Sequence, residues 1–366
     1  MSTDRAWADL IASTAAAICP EDAEAAARAR ARHRDLTKPP GSLGRLEDLS
    51  IRIAGMTGLD RPRLDDRLVV IAAADHGVAR RGVSAYPPEV TAQMVANFLS
   101  GGAAINVLAD HAGARVRVVD AGVDGETPAH ESLDRLRLGR GTSDITRGPA
   151  MSELMAEQAI AAGINLLTQE RSMRGVSIVA CGDMGIGNTT AAAAIIAAVT
   201  GQSARAVTGR GTGIDDERFE TKVLAVQQAL DVNRPDGRDG VRLLAQVGGF
   251  EIGILAGVYL AAAAARIPAV IDGVISGAAA LIADAITPQV RSYLIAAHRS
   301  VEPGHSVTLQ HLGLDPLLDL GVRLGEGSGA ALGITLCIAA CRVLDEMATF
   351  HEAGVTDSDE VVRSES

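Results

Sequence analysis

The fold is decided by residues 176–199, where the apolar run VSIVAC (176–181) is followed by GDMGIGNTT (182–190) and then by AAAAIIAAV (191–199). A short, nearly continuous apolar run that gives way to glycine is typical of a strand covered on both faces. The alanine-rich run favours a helix, because alanine has the highest helix propensity. This stretch therefore predicts a strand, a glycine loop and a helix in succession.

The same succession recurs along the chain. Further apolar runs predict strands at residues 67–74, 115–120 and 267–272. Between the runs, apolar spacing and composition predict helices at residues 89–108, 151–167, 189–199, 217–230, 252–265 and 273–285. Strands that alternate with helices favour an α/β fold, with a mostly parallel, Rossmann-like sheet flanked by helices. Ligands bind such sheets beyond the carboxyl ends of the strands, so the glycine loops are where we look for function.

The two ends of the chain are predicted to contain helices only. Helices are expected at 21–36 and from 42 to 56, and a long apolar helix at 329–350. We therefore predict an α/β catalytic domain over residues 59–330. A helical segment at 1–58 and a C-terminal helix at 331–352 would form a small helical domain, and residues 353–366 an acidic flexible tail.

Composition limits the possible functions. The chain has 366 residues, of which 47% are hydrophobic and 22% charged, so it has enough apolar material for a large core. Its formal net charge of −11 opposes binding to nucleic acid, which relies on clustered cations. We expect a small-molecule partner and no nucleic acid.

Cellular location is predicted from the cysteines and the apolar stretches. The four cysteines include no CxxC pair, which favours a reduced cytoplasm and indicates neither a disulfide framework nor a zinc site. Residues 1–18 carry charges within any apolar core and lack a signal-peptide pattern. The apolar run at 253–265 stops after 13 residues, short of the ~20 needed to cross a bilayer. We expect a cytoplasmic protein with no membrane partner.

The first glycine loop has the features of an anion cradle. Gly185, Ile186, Gly187 and Asn188 precede a helix, so their backbone N–H groups and the helix N-terminus favour a phosphate. No lysine follows the last glycine as in a Walker loop, and the dinucleotide fingerprint lacks its third glycine. The alternative is a simple tight turn between strand and helix.

A second loop, VTGRGTGID (207–215), adds Gly209 and Gly211, with Lys222 following on a predicted helix. Two glycine loops can enclose one phosphate from opposite sides, with the lysine as a point charge. The alternative for Lys222 is a solvated surface side chain, because lysines are mostly exposed.

A third glycine-rich segment places Glu326 between Gly325 and Gly327, just before the long C-terminal helix. The carboxylate is either a helix cap, stabilised by the helix dipole, or a general base. Glycine on both sides removes side chains that would block a ligand, and an ordinary cap does not need that clearance.

Asp75 and His76, directly after the first strand, resemble part of a metal site or a catalytic triad. No third partner is fixed by spacing, and His298, His305 and His311 lack the i, i+4 step that places two ligands on one helix face. No GxSxG elbow follows a strand. We therefore expect neither a metal site nor serine hydrolysis.

Taken together, these motifs resemble one family, the nicotinate-nucleotide–dimethylbenzimidazole phosphoribosyltransferases of cobalamin lower-loop synthesis. The segments that carry the resemblance, in chain order, are KPPGSLGRLEDL (38–49), ADHGVARRGVSAYPPEVTAQM (74–94), GDMGIGNTTAAAA (182–194), VTGRGTGID (207–215), VGGFEIGILAG (247–257), HRSVEPGH (298–305) and LGEGSGAAL (324–332). They span nearly the whole chain, and only the last ~15 residues, a tail of the disordered type, lie outside it.

The resemblance implies the reaction and its residues. Nicotinate mononucleotide and 5,6-dimethylbenzimidazole would give α-ribazole 5′-phosphate and nicotinate, with inversion at C1′. Glu326 matches the family's catalytic base, and Ser84 and Leu324 match positions around the aromatic base. The family's phosphate loops and lysine fall on the loop residues and lysine already named. A homodimer is implied, and neither a cofactor nor a metal.

One departure and two alternatives remain. Many family members carry glutamate where this chain has Asp183, so the catalytic role of this second carboxylate is carried over less directly. The first alternative is a phosphoribosyltransferase that uses phosphoribosyl pyrophosphate and magnesium. Such enzymes present two adjacent carboxylates to the ribose hydroxyls, whereas here Asp183 stands between Gly182 and Met184. The second is a non-catalytic binding protein with the same fold, because fold alone does not fix function.

Overall fold

The computed structural model describes residues 3–356 and contains a six-stranded sheet in which every neighbouring pair is parallel. The strands are β1 (Arg67–Ala74), β2 (Ala114–Gly122), β3 (Leu133–Arg135), β4 (Ile178–Met184), β5 (Ala269–Ile271) and β6 (Leu294–Ala296). The parallel α/β architecture predicted from the sequence is confirmed.

The strand order is β3-β2-β1-β4-β5-β6. The chain runs outward from β1 to β3 on one side, then returns to place β4 beside β1 and runs outward again to β6. The connections that leave β1 and β4 therefore turn in opposite directions, which opens a crevice at the carboxyl ends of these two strands. Open α/β sheets bind their ligands at this switch point.

Strand β4 begins two residues later and ends three residues later than predicted. It pairs with β1 from Arg67↔Ile178 to Ala73↔Met184, so Asp183 lies in the strand and not in the glycine loop. Pairing with β1 outweighs the weak strand preference of Gly182. A glycine is needed there, because a Cβ on Gly182 would lie 2.3 Å from the carbonyl oxygen of Glu326.

Helices cover the sheet in the larger of two structural units, which comprises the described residues up to Cys19 and Asp66–Ile334. They are α1 (Thr3–Ala16), α4 (Val90–Leu99), α5 (Ala104–His111), α6 (Glu153–Arg174), α7 (Asn188–Thr200), α8 (Ala204–Val207), α9 (Asp216–Asn233), α10 (Gly240–Val247), α11 (Phe250–Ala264), α12 (Val274–Ile286), α13 (Pro303–Leu312) and the start of α14 (Ser328–Glu346). The helix predicted at 89–108 is two helices, because Gly101 adopts a left-handed φ of +77° between them.

Helix α11 forms the centre of this unit. It is buried along its length up to Ala263 and packs against α6, where Gly163 brings the two backbones close together. A Cβ on Gly163 would lie 1.9 Å from the carbonyl oxygen of Ile254. The apolar run at 253–265 is therefore part of a buried helix.

The second unit comprises Pro20–Asp65 and the described residues from Thr335 onward. It contains α2 (Ala23–Asp35), α3 (Arg45–Thr57), the rest of α14 and α15 (Phe350–Ala353). Ala29, Ile51, Ala54 and Leu344 form its apolar cluster. The Arg32 guanidinium donates to the carbonyl oxygens of Leu344, Asp345 and Met347, which satisfies acceptors at the end of α14.

The boundaries differ from the predicted ones at both ends. Helix α1 belongs to the larger unit, because it packs against α6, whereas the sequence grouped residues 1–58 together. Of the predicted acidic tail at 353–366, residues 357–366 lie outside the described part of the chain.

Two described stretches are long and apolar enough to cross a membrane by length and composition alone, Val90–His111 and Ser328–Glu346. The first spans α4 and α5 with their glycine break, and the second is α14. Core helices of water-soluble proteins meet the same criteria, so this finding carries no argument about location.

Candidate active site

A cavity of about 600 Å³ opens at the carboxyl ends of the strands, at the switch point between β1 and β4. Its wall is built from the segments that follow β1, β4, β5 and β6, together with residues 322–326. The predicted site residues on this wall are Ser84, Asp183, Gly185, Ile186, Gly187, Asn188, Gly211, Leu324 and Glu326. Gly209 and Lys222 lie behind it.

The first glycine loop offers fewer free donors than the sequence suggested. The Ile186 N–H donates to the Thr91 hydroxyl at 3.2 Å, and the Asn188 N–H donates to the Gly185 carbonyl oxygen at 3.2 Å. The Gly187 N–H has no acceptor within residues 3–356. Gly187 adopts a φ of +98°, a region that favours glycine. Gly187 therefore offers a free backbone donor, whereas the N–H groups of Ile186 and Asn188 are bonded within the protein; the predicted contacts of this loop with a phosphate stay a prediction.

Lys222 is buried, with 1% of its surface exposed, so its interpretation as a solvated lysine is wrong. Its ammonium donates to the Thr189 hydroxyl at 2.8 Å and to the Gly209 carbonyl oxygen at 2.9 Å, which ties the two glycine loops together. Burial lowers the pKa of Lys222 to about 8, and the charge of Glu302 acts in the opposite direction. An ammonium of lowered pKa thus lies immediately behind the two glycine loops.

Glu302 is a pocket residue that the sequence did not reveal. Its Oε1 accepts the Gly211 N–H at 2.9 Å, and its carboxylate packs against Gly209, where a Cβ would lie 1.9 Å from Oε2. A glycine at position 209 thus makes room for Glu302, and the predicted contact of Gly209 with a phosphate stays a prediction. The available signal was a glutamate before Pro303, which starts α13, but this pattern marks any helix start.

Glu326 adopts a φ of +63° and is 8% exposed. It accepts a hydrogen bond from the Ile105 N–H, while its Oε2 has no partner in the described structure. Burial raises the pKa of Glu326, the Ile105 N–H lowers it, and the nearby charge of Asp272 raises it further. A left-handed conformation in a residue other than glycine persists only where the surroundings enforce it, as at functional sites.

The helix cap is supplied by Asp272 and not by Glu326. The fully buried Asp272 carboxylate accepts the N–H groups of Gly327 at 3.1 Å and Ala330 at 2.9 Å, at the start of α14. Burial raises the pKa of Asp272 to about 7, against the lowering effect of these backbone donors. Asp272 therefore holds the segment that carries Glu326, and Oε2 of Glu326 is left without a protein partner within residues 3–356.

Asp183 lies on the cavity wall beside the first loop. Its Oδ2 accepts from the Asn188 side-chain amide at 2.9 Å, and its buried Oδ1 lacks a partner among the residues described. Burial raises the pKa of Asp183 well above its ordinary value, and the charges of Asp272, Glu251 and Glu326 add to the effect. These effects favour the neutral form of this carboxyl.

Asp75 and His76 have structural partners. His76 Nε2 lies 2.8 Å from Glu251 Oε1, and both side chains are buried. Burial lowers the pKa of His76, but the charge and hydrogen bond of Glu251 outweigh it, so the pKa is raised. Between residues 3 and 356, no group of three or more His, Cys, Asp or Glu side chains is arranged to hold a metal ion.

A parallel sheet of this order, with a cavity and a buried carboxylate at its switch point, is typical of α/β enzymes that bind small molecules. A family model described as phosphoribosyltransferase matches residues 18–355. A protein from Roseiflexus sp. (strain RS-1), named nicotinate-nucleotide–dimethylbenzimidazole phosphoribosyltransferase, is 60% identical over 347 residues, which cover 95% of this chain and 98% of that protein. The chain belongs to the nicotinate-nucleotide–dimethylbenzimidazole phosphoribosyltransferase family.

Other relatives agree. A protein of the same name from Chloroflexus aurantiacus is 58% identical over 349 residues, covering 95% of this chain and 99% of that protein. The crystal structure of CobT from Thermus thermophilus matches with a TM-score of 0.88 and 48% identity, over 92% of this chain and 100% of that one. The family resemblance and the enzyme class predicted from the sequence are confirmed, and the alternative of a non-catalytic binding protein is set aside.

Proposed function

We propose that this enzyme transfers the 5-phosphoribosyl group of nicotinate mononucleotide to 5,6-dimethylbenzimidazole, releasing nicotinate and forming α-ribazole 5′-phosphate. The names of relatives up to 60% identical support these substrates. The cavity supports them as well, since it has an anion cradle at Gly187 and a buried carboxylate at Glu326 on one wall.

The observation that carries the proposal is the unpartnered Oε2 of Glu326. A buried carboxylate oxygen without a donor is unfavourable, and native structures nearly always satisfy such atoms. The N–H of an azole ring is a donor of the right kind. In this proposal Glu326 accepts that hydrogen bond in the complex and takes the proton during the reaction.

The reaction needs one base. As Glu326 takes the N–H proton, the azole nitrogen attacks C1′ of the ribose from the face opposite to nicotinate. The new C–N bond forms as the glycosidic bond breaks, and inversion converts the β-linkage to α. The breaking bond returns its electron pair to a pyridinium nitrogen, so the ring leaves uncharged and needs little acid assistance. General-base action contributes about 10²–10⁴-fold, and positioning supplies much of the rest.

The remaining site residues hold the substrates. We propose that the phosphate lies against Gly187 and close to Gly211, whose own N–H is bonded to Glu302, with Lys222 supplying positive charge from behind. The aromatic base would lie near Ser84 and Leu324. The Lys222 ammonium has three donors and uses two on the protein, so one remains for the phosphate.

Asp183 is assigned a separate part in this proposal. In its neutral form, which burial and the neighbouring carboxylates favour, it donates a hydrogen bond to the nucleotide without adding negative charge. Two carboxyl groups with different environments can thus serve as donor and base in one pocket.

Under the same proposal the enzyme works in the cytoplasm on small molecules, without membrane or nucleic acid, and as a homodimer. The net charge of −11 supports the absence of a nucleic-acid partner. Light scattering coupled to size exclusion measures the oligomeric state, and a monomer at micromolar concentration would overturn the dimer.

The function is tested by following nicotinate release from nicotinate mononucleotide and dimethylbenzimidazole after treatment with a chelator. We expect turnover without magnesium and without phosphoribosyl pyrophosphate. Turnover only with phosphoribosyl pyrophosphate and magnesium would establish the first alternative instead. The anomeric configuration of the product, read by NMR, tests inversion.

A further inference from the structure

The Thr91 hydroxyl lies under the first glycine loop. Thr91 is fully buried in the first turn of α4, and its Oγ1 donates to Asp75 Oδ1 at 2.7 Å. The same oxygen accepts the Ile186 N–H at 3.2 Å. A helix outside the β4–α7 connection is thus bonded directly to the backbone of the anion cradle.

These bonds fix the orientation of one peptide group. The Ile186 N–H and the Gly185 C=O belong to the same planar unit. Thr91 holds the N–H end, and the Asn188 N–H holds the C=O end at 3.2 Å. The peptide therefore cannot rotate without breaking both bonds. The next peptide carries the Gly187 N–H and is joined to this fixed unit only through the φ and ψ of Ile186, whose buried side chain restricts that residue.

Asp75 determines how the Thr91 hydroxyl is used. A threonine hydroxyl has a single hydrogen, so it can donate only once. Asp75 Oδ1 accepts that hydrogen, while Asp75 Oδ2 accepts the Asp124 N–H at 2.8 Å. The hydroxyl must therefore present a lone pair to Ile186. Asp75 therefore orients the Thr91 hydroxyl, and this role requires no metal ion.

We propose that Thr91 is a positioning residue for nucleotide binding: with Asp75 behind it, its hydroxyl withdraws the Ile186 N–H from the cavity and thereby aims the Gly187 N–H at the substrate phosphate. The inference rests on the proposed function only for the identity of the nucleotide. The arrangement of the loop stands on the hydrogen bonds themselves.

The test compares Thr91→Val, which keeps the shape and removes the hydroxyl, with Thr91→Ser, which keeps the hydroxyl. For Thr91→Val we expect the KM for nicotinate mononucleotide to rise about ten- to a hundredfold, the range for one lost hydrogen bond to a charged group. The Ki of inorganic phosphate should rise by the same factor. The KM for dimethylbenzimidazole and kcat should stay within about threefold, and Thr91→Ser should restore nucleotide binding.

Thr168→Val is the matched control, because within residues 3–356 the Thr168 hydroxyl bonds only to the Ile164 carbonyl oxygen of its own helix. It should leave every constant unchanged. If Thr91→Val does not fold, Thr91→Ala provides the same comparison. Unchanged nucleotide and phosphate constants would overturn the proposal. If kcat fell and both KM values rose by similar factors in Thr91→Val, and Thr91→Ser did not restore them, Thr91 would have only a structural role. That result would also overturn the proposal.

The Kd of inorganic phosphate, measured by calorimetry on the wild type and on Thr91→Val, separates this inference from the proposed function. A wild type that binds phosphate more tightly than Thr91→Val but releases no nicotinate would leave the inference standing and remove the proposed function. If the two proteins bound phosphate equally and the wild type released nicotinate, the inference would be removed and the proposed function would stand.

Discussion

Two buried ionisable side chains, Glu326 and Lys222, have pKa values moved toward neutrality from opposite directions. Burial raises the pKa of Glu326, and burial lowers that of Lys222 to about 8. A carboxylate of raised pKa is a stronger base, and it works only above that pKa. An ammonium of lowered pKa attracts phosphate only below about pH 8. The enzyme should therefore be most active between these limits.

Replacing the base tests the chemistry. We expect Glu326→Gln to lower kcat by at least about 10², the lower range for a lost general base, with little change in nucleotide affinity. Raising the pH should recover part of the rate, because hydroxide can then take the proton. Steady-state kinetics between pH 6 and 10 measure both effects.

Glu89→Gln is the control for this prediction, since Glu89 is exposed and not on the cavity wall. It should be kinetically silent. If Glu326→Gln kept a near wild-type kcat at neutral pH and lost only about 1 kcal/mol of stability, Glu326 would be no more than a stabilising residue near a helix end.

The lowered pKa of Lys222 should limit nucleotide binding at alkaline pH. As the pH rises through about 8, the free enzyme loses the ammonium charge, so kcat/KM for the nucleotide should fall. In Lys222→Met this alkaline decline should disappear, while the KM at pH 7 rises at least tenfold through loss of a charge-assisted bond. An identical alkaline limb in Lys222→Met would assign the titration to another group.

At the scale of elements, the sequence predicted those with long, uniform patterns. Strand β1 begins and ends at the predicted residues, and α7 differs from its prediction by one residue at each end. Strands β3 and β6 have three residues each and no pattern to detect, and pairing with a neighbouring strand defines them.

Some residues of the candidate site could be predicted from the sequence and others could not. Glu326 and Gly187 were visible in the sequence because glycine-rich motifs surround them. The sequence did not reveal three further residues, Thr91, Asp272 and Glu302. Each of them accepts a hydrogen bond from a backbone N–H that lies between 55 and 95 residues away in the chain. No local pattern records such a contact, and it exists only once the sheet has assembled.

The β4–α7 connection can be tested by one substitution. Gly187→Ala would place a Cβ at a φ of +98° and 3.1 Å from the Cβ of His76. We expect the KM for the nucleotide to rise at least tenfold and stability to fall by about 1–3 kcal/mol, the strain range for such a conformation. Gly148→Ala is the control, because no atom lies within 4 Å of its added Cβ and its φ is ordinary. Equal KM values in both variants would show that the loop is only a turn.

At the scale of the whole molecule, ligand binding and folding should be linked. Nicotinate mononucleotide at a hundred times its Kd should raise the unfolding free energy by about 2.7 kcal/mol, because it binds only the folded state. Thermal unfolding with and without the nucleotide measures this. The increase in unfolding free energy should vanish in Gly187→Val, because the valine side chain would occupy the phosphate position. If Gly187→Val kept the increase, the nucleotide would bind elsewhere.

The switch point has a consequence for how the protein is made. Its cavity wall draws on residues from Val83 to Glu326, so a chain growing on the ribosome has no complete pocket until residue 326 has emerged. Contacts of such long sequence separation also form slowly. Nascent and truncated chains therefore should not compete with full-length enzyme for the nucleotide. In a pulse-labelled extract, nicotinate mononucleotide should be captured only by chains that extend beyond residue 326.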